Sequence, residues 1–393
     1  MSVINRVSHQ QCCGCSACFS VCPKQCIEMK QDEFGFLYPS ISSDSCVECS
    51  LCEKVCPCLQ TESTKTTPES FFAAKIKNES KRIQSSSGGV FTFLAEKILA
   101  QNGIVCAARF ESPTHLIHDF CTRIEDLDAY KGSKYLQSDM RNCYLATKRL
   151  LSEGRKVLFV GTSCQIMGLK LFLRKPYPNL IAMEIVCHGV PSPFAWRKYI
   201  SELCNLKNID ISQIDKMEFR NKDKSWRKFN LKISSNGKTI HKKSLRKDPY
   251  LKAFLRNLFL RPSCHACPAK NFKSNSDIIA GDFWGVDNFH QFIDDDRGVS
   301  CLILQNADLL PLFDDSKIEL IPTKYENILR ANPAIERSSK PNPDREKYLQ
   351  SVLKNDFIQT TKPYVKTPFS QRLKYEINSL KKLLKKLLLI LKK

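Results

Sequence analysis

Two stretches, CCGCSACFSVCP at residues 12–23 and CVECSLCEKVCP at residues 46–57, repeat one pattern. Each runs C-x2-C-x2-C-x3-C-P: Cys12, Cys15, Cys18 and Cys22 before Pro23, then Cys46, Cys49, Cys52 and Cys56 before Pro57. The chain has 20 cysteines in 393 residues, and 11 of them fall in the first 60. Such clustering means either a disulfide framework or a metal site. The opening MSVINRVSHQ lacks an apolar export core and a small-residue cleavage pattern. It predicts a cytoplasmic chain with reduced thiols, and so a metal site.

The spacing is that of bacterial two-cluster ferredoxins. Three closely spaced thiolates wrap one face of a 4Fe–4S cube, and the fourth, before the proline, crosses to the other cube. The set expected for the first cluster is Cys12, Cys15, Cys18 and Cys56; the set expected for the second is Cys46, Cys49, Cys52 and Cys22. Cys13, Cys26 and Cys58 are left over. The alternative is zinc, which usually takes two CxxC pairs rather than two four-cysteine runs ending in Cys-Pro.

Working outward, residues 1–60 are the cysteine block, expected as an α+β ferredoxin-like domain, and residues 61–69 read as a linker. From Phe71 the texture alternates. FFAAKI (71–76), IVCAA (104–108), KVLFVG (156–161), LIAMEIVC (180–187), DIIAGDF (277–283) and GVSCLIL (298–304) read as strands. Helical patterns cover 90–99, 138–152, the stretch from Gln165, 192–204 and 249–260, and Asn236-Gly237 marks a hairpin. This alternation predicts an α/β core with a partly parallel sheet over 70–320, followed by an extension over 321–367. Apolar residues make up 42%, which excludes wholesale disorder, and no run is long enough to cross a membrane. No G-x-G-x-x-G occurs, so a standard dinucleotide fold is not expected.

Four further cysteines stand at suggestive places: Cys164 at a strand-to-helix turn, Cys187 at a strand end, and Cys264 and Cys267 in CHAC. They either meet around a third cluster at the carboxyl ends of the strands or are separate buried apolar residues. Ser85–Gly89 either cradles a phosphate or simply caps a helix. Cys106, Cys121, Cys143, Cys204 and Cys301 read as core.

Taken together, the motifs resemble the coenzyme F-420 hydrogenase/dehydrogenase beta-subunit family with an N-terminal two-cluster ferredoxin domain. The resemblance runs through SSSGG (85–89), GSKY (132–135) with Gln137-Ser138, GTSCQ (161–165), CHGVPSP (187–193), Phe219-Arg220, RPSCHAC (261–267), GDFWG (281–285) and GVS (298–300). It covers roughly residues 5–310. One departure is Ser163, where the family usually has proline. The resemblance implies an α/β flavin-binding core holding FAD, with Ser86, Ser87, Gly88, Gly89, Gly132, Ser133, Lys134 and Tyr135 as contacts. It further implies a third 4Fe–4S cluster on Cys164, Cys187, Cys264 and Cys267. The expected function is an iron–sulfur flavoprotein oxidoreductase, acting on an organic substrate or a deazaflavin. Alternatives are an electron-transfer subunit feeding a separate catalytic partner, or a zinc-stabilised binding protein. His188, Lys134 and Arg220 are candidate substrate or flavin contacts or structural residues, and no catalytic residue is assigned.

The formal net charge is +21. The basic residues are spread and carry no nucleic-acid motif, so no nucleic-acid partner is expected. A basic surface suits a small acidic, ferredoxin-like electron carrier. From Arg372 onward eight basic residues face one acidic, and Leu373, Ile377, Leu380, Leu384, Leu387 and Leu391 form one helical stripe. Residues 368–393 therefore read as a basic amphipathic helix. It lies either on the inner face of a membrane or against protein.

Overall fold

The cysteine block holds a short helix α1 (Ala17–Val21), a hairpin of β1 (Ile27–Gln31) and β2 (Leu37–Ile41), and a one-turn helix α2 (Leu51–Lys54). The core follows with β3 (Ser70–Ile76), α3 (Glu79–Gln84), α4 (Val90–Ala100), β4 (Ile104–Ser112), β5 (His115–Cys121), α5 (Cys143–Ser152), β6 (Val157–Thr162), α6 (Ser163–Leu173), β7 (Leu180–Ile185) and α7 (Pro193–Asn205). It continues with β8 (Ile214–Asn221), β9 (Asn230–Ser235), β10 (Lys238–Ser244), α8 (Pro249–Leu255), β11 (Ile278–Asp282), β12 (Ser300–Leu304), β13 (Ile318–Pro322), α9 (Tyr325–Ala331), α10 (Arg345–Lys354) and α11 (Phe357–Tyr364). This computed structural model describes residues 7–60, 68 and 70–366. Most of the linker and the basic helix read over 368–393 lie outside the described residues. No described helix is long and apolar enough to cross a membrane.

Eight strands form one sheet in the order β13-β3-β12-β11-β7-β6-β4-β5. The middle four, β11, β7, β6 and β4, are parallel, and the flanking pairs are antiparallel. Parallel strands are covered on both faces, so they read as continuous apolar runs such as Val157–Val160 and Leu180–Met183. The partly parallel sheet expected from the alternating pattern is present. A second sheet, β10-β9-β8, turns at Asn236 and Gly237, both at positive φ, as a two-residue hairpin requires.

Two helices are shorter than their periodicity suggests. Residues 138–142 are not helical: Asp139 bridges to Ile117 of β5, and its carboxylate accepts from the amide of Arg141, which has φ +43°. The helix starts at Cys143. The other helix ends at Leu255 because Asn257 is left-handed, with φ +59°. Within the expected extension, Tyr348, Leu349, Val352 and Phe357 bury themselves in the same apolar cluster as Trp196 and Phe254.

The cysteine block packs onto α6. Cys13, Cys15 and Ala17 share a buried cluster with Tyr144, Ile166 and Leu169. Gly14 makes the closest approach. It has φ +65°, and a Cβ there would stand 2.8 Å from the Arg261 guanidinium, so glycine is required on both counts.

Candidate functional site

The thiols gather in three groups. Cys22, Cys46, Cys49 and Cys52 ring a cavity of about 120 Å3. Cys26 joins them, with its sulfur 3.4 Å from that of Cys22. Cys12, Cys15, Cys18 and Cys56 ring a smaller space of about 20 Å3, narrowed by Cys13 and Cys58. Each expected quartet thus surrounds its own cavity. Cys49 is exposed, whereas Cys15, Cys18 and Cys56 are buried, so the quartet of Cys22, Cys46, Cys49 and Cys52 is the outer one, at the surface, and that of Cys12, Cys15, Cys18 and Cys56 the inner one, facing the core.

Local backbone explains the rings. Ser16 and Ser50, each directly before a short helix, take left-handed φ of 64° and 55°. The chain therefore curls between the second and third cysteine of each run.

The third group lies at the carboxyl ends of β6 and β7. Cys164 sits in the first turn of α6, opened by a capping box between Thr162 and Gln165. Thr162 Oγ1 is 3.3 Å from its sulfur. The Val190 amide donates to Cys264 Sγ at 3.2 Å. Burial raises the thiols of Cys187 and Cys264, to about 11 and about 12, and raises Cys267 as well. The charges of Cys164 and Cys187 add to the shift at Cys264, and those of Cys164 and Cys264 to the shift at Cys267, so the four are near neighbours. Among the described residues, no three His, Cys, Asp or Glu side chains close on a single-ion position.

Cys13, left without a role by the spacing, packs with Cys15, Cys58 and Cys164. It stands between the inner quartet and the core group. Its doubling next to Cys12 was visible in the sequence; its long-range partner was not.

A pocket of about 550 Å3 opens at the carboxyl ends of the parallel strands. Ser86, Ser87, Gly89, Gly132, Ser133, Lys134 and Tyr135 line it, as do His188 and Arg220, while Cys187 reaches its wall. Gly88 does not line it. A Cβ at Gly88 would stand 2.2 Å from the Ala74 carbonyl, so this glycine lets the turn lie flat on β3 and β12. No side chain caps α4, whose first residues line the pocket. The serines bond elsewhere: Ser85 with Thr92 at 2.9 Å, Ser87 to the Val299 carbonyl at 2.8 Å, and Ser133 to Ser86 at 2.8 Å. The first amides of α4 therefore have no side-chain acceptor, and the residues that carry them line the cavity.

Two lysines hold this wall through carbonyls. Lys134 Nζ donates to Tyr130, Lys131 and Gly132, and burial pushes it down to about 7. Lys222 Nζ, which sequence reasoning missed, donates to Arg82, Ser87 and Arg297 and is also pushed down to about 7 by burial. Arg220 is buried, ion-paired to Asp282 and stacked between Phe229 and Trp284. Its Nε and Nη2 have no hydrogen-bond partner. His188 bonds Asn257 at 2.6 Å.

Behind the core thiols, Glu184 is buried in β7 and accepts from Ser163 Oγ at 2.6 Å and from Ser274. Its signal in the sequence was a lone acid inside the apolar run LIAMEIVC.

Residues 154–324 match the family described as the C terminus of the coenzyme F420 hydrogenase/dehydrogenase beta subunit, and residues 11–59 match a 4Fe-4S dicluster domain. No curated protein matches the chain. Among solved structures, a chain of the xenon-derivatised F420-reducing [NiFe] hydrogenase complex from Methanosarcina barkeri is similar at 17% identity. The match covers 76% of this chain and 92% of that one, with a TM-score of 0.45. Over residues 154–324 the chain is thus similar to the C-terminal part of the coenzyme F420 hydrogenase/dehydrogenase beta subunit, and over residues 11–59 to a 4Fe-4S dicluster domain.

Proposed function

We propose that the chain is an iron–sulfur flavoprotein that relays electrons between a redox partner at its cysteine block and an organic substrate or deazaflavin at the strand-end pocket. The observation that carries this reading is the unbroken succession of thiols. It runs from exposed Cys49 through the inner quartet and Cys13 to Cys164, and ends at Cys187 on the pocket wall.

The residues present fit the groups. The outer and inner quartets would hold one 4Fe–4S cluster each, and Cys164, Cys187, Cys264 and Cys267 a third. The pocket lies within the usual volume for a cofactor site. The uncapped N-terminus of α4 and the two unpaired nitrogens of Arg220 suit the diphosphate and polar ring edge of FAD. Clusters and flavin would supply one-electron transfer and two-electron chemistry respectively. The chain's own part is spacing and support: Lys134 and Lys222 fix the carbonyls of the two loops, Ser86 and Ser133 join them, and Trp284 with Phe229 shuts one side of Arg220 from water.

The partner end differs from the expectation of a basic docking face. Residues 7–60 contain three lysines and six Asp or Glu side chains. A partner that meets exposed Cys49 is therefore favoured by a basic contact surface, and the chain's excess of positive charge lies elsewhere.

Anaerobic purification with iron, acid-labile sulfide and flavin analysis tests the reading. Twelve-iron stoichiometry, as three clusters require, and extractable FAD are expected. Absence of flavin, or zinc without sulfide, would overturn it. Reduction of a substrate by the isolated chain separates an enzyme from a subunit that needs a catalytic partner.

A further inference from the structure

Arg261 is fully buried at the junction of the cysteine block and the core. Its Nε donates to the Cys12 carbonyl at 2.7 Å, Nη2 to the Leu37 carbonyl at 2.9 Å and Nη1 to Gln137 Oε1 at 3.2 Å. Its guanidinium lies 4.1 Å from the centre of the Tyr38 ring and 5.4 Å from that of Phe36. Every one of these partners is neutral. Among the described residues no carboxylate pairs with it, although two other buried arginines, Arg82 and Arg220, each hold an aspartate.

A buried cation without a counter-charge is costly, so something must offset it. The neighbours able to carry negative charge are the Tyr38 phenol and the thiols of Cys12, Cys13 and Cys264, and two of these thiols, Cys12 and Cys264, belong to different quartets. Thiolate ligation leaves a 4Fe–4S cluster with a net negative charge, which grows on reduction. A fixed cation beside it therefore favours the reduced state, an effect that weakens with distance.

We propose that Arg261 is a positioning residue for electrons. Its buried charge raises the reduction potentials of the inner and core clusters above that of the surface cluster, so that electrons run inward from the Cys49 face to the pocket. The inference rests on the three-cluster reading and adds a direction to it. Arg261 favours the passage of one electron from the surface cluster, which is oxidised, to the inner one, which is reduced. No bond is made and no proton is needed.

The test is an anaerobic redox titration of the full chain followed by electron paramagnetic resonance, on the wild type, R261Q and R261K. Iron and sulfide analysis of the wild type is done first, and failure there rejects the three-cluster reading itself. R261Q is expected to lower the inner and core potentials by at least tenfold in the one-electron equilibrium, about 59 mV, while the surface cluster stays put. R261K, which keeps the charge with fewer hydrogen bonds, recovers most of the shift. A fully loaded R261Q with unmoved potentials, or an equal shift in all three clusters, overturns the proposal and leaves the cluster assignment standing. If R261Q does not load its clusters, R261K decides. Loading with near wild-type potentials supports the role of charge, and failure to load overturns it.

Discussion

The hydroxyl of Ser163 donates to Oε1 of Glu184 at 2.6 Å, joining the first residue of α6 to the neighbouring strand β7 just behind the core thiols. Ser274 donates to the other carboxylate oxygen, so two buried hydroxyls depend on one acid. Glu184→Ala would leave both hydroxyl protons without an acceptor, Ser274 keeping only the amide of Ser276, and is expected to cost about 1–3 kcal/mol. Glu184→Gln keeps an acceptor in place and should cost less. Chemical denaturation of the two variants under anaerobic conditions checks the order; equal losses would show that the carboxylate does not organise the site.

The 3.4 Å separation of Cys22 and Cys26 makes Cys26 a ready substitute at the outer quartet. Cys26→Ser should leave the surface cluster intact. Cys22→Ser should retain much of it through Cys26, and the double variant should lose it. Iron content and the resonance signal of the surface cluster report each case.

His118 is buried, with its ring nitrogens on Ser138 Oγ at 2.8 Å and on the Val160 carbonyl at 3.0 Å. Burial pushes its pKa down from 6.5 to about 4. As pH falls below 6.5 the unfolded chain gains a proton here that the folded chain refuses until about pH 4. Stability is therefore fully present above 6.5 and declines through that window, by up to about 1.4 kcal/mol per pH unit. His118→Gln should be less stable at about pH 7.5, and its stability should fall less steeply than that of the wild type. Denaturation curves at several pH values give both slopes.

Arg220, on the pocket lining, keeps two buried nitrogens without a hydrogen-bond partner while neutralising half-buried Asp282. Arg220→Met strands that carboxylate with one remaining donor, Trp226 Nε1 at 3.0 Å, and should cost about 3–5 kcal/mol. Arg220→Lys keeps the charge but loses the planar fork. It should fold, and it should bind flavin about tenfold to a hundredfold more weakly, which is the worth of one charged hydrogen bond. Fluorescence titration of flavin-stripped protein measures this.

The acidic cysteine block predicts how the surface cluster meets a carrier. Electron transfer from the reduced protein to cytochrome c, a basic one-electron carrier, should slow by about tenfold between low and about 200 mM salt. Lys replacement of Glu48 and Glu53 together should slow it at low salt. Stopped-flow absorbance reads the rate; acceleration with salt would reverse the sign assigned to this face.

The local features of the molecule were legible in the sequence. Two cysteine runs foretold two thiol rings, and continuous apolar runs foretold β6, β7 and β12, because a buried strand and a cluster loop both write themselves into neighbouring residues. Contacts between distant segments left no such trace. Ser163 reads as a missing proline, and only the fold shows its hydroxyl on Glu184. Gly88 and Gly89 both read as cofactor contacts by resemblance, yet the sheet behind claims Gly88 and only Gly89 lines the pocket. The helices around 138 and 256 were overrun because a strand bridge at Asp139 and a left-handed Asn257 outweigh apolar periodicity.

Cys12 and Arg261 are separated by 249 positions in the chain. At ordinary rates of translation, about 5–20 residues per second, the ribosome takes roughly 12–50 s to deliver the arginine after the cysteine. The thiols of the inner quartet thus leave the ribosome long before their anchor, and β3 likewise waits for β12 and β13. During that interval the cysteine block stands without its dock. Assembly order, as much as final geometry, is written into where this one arginine sits.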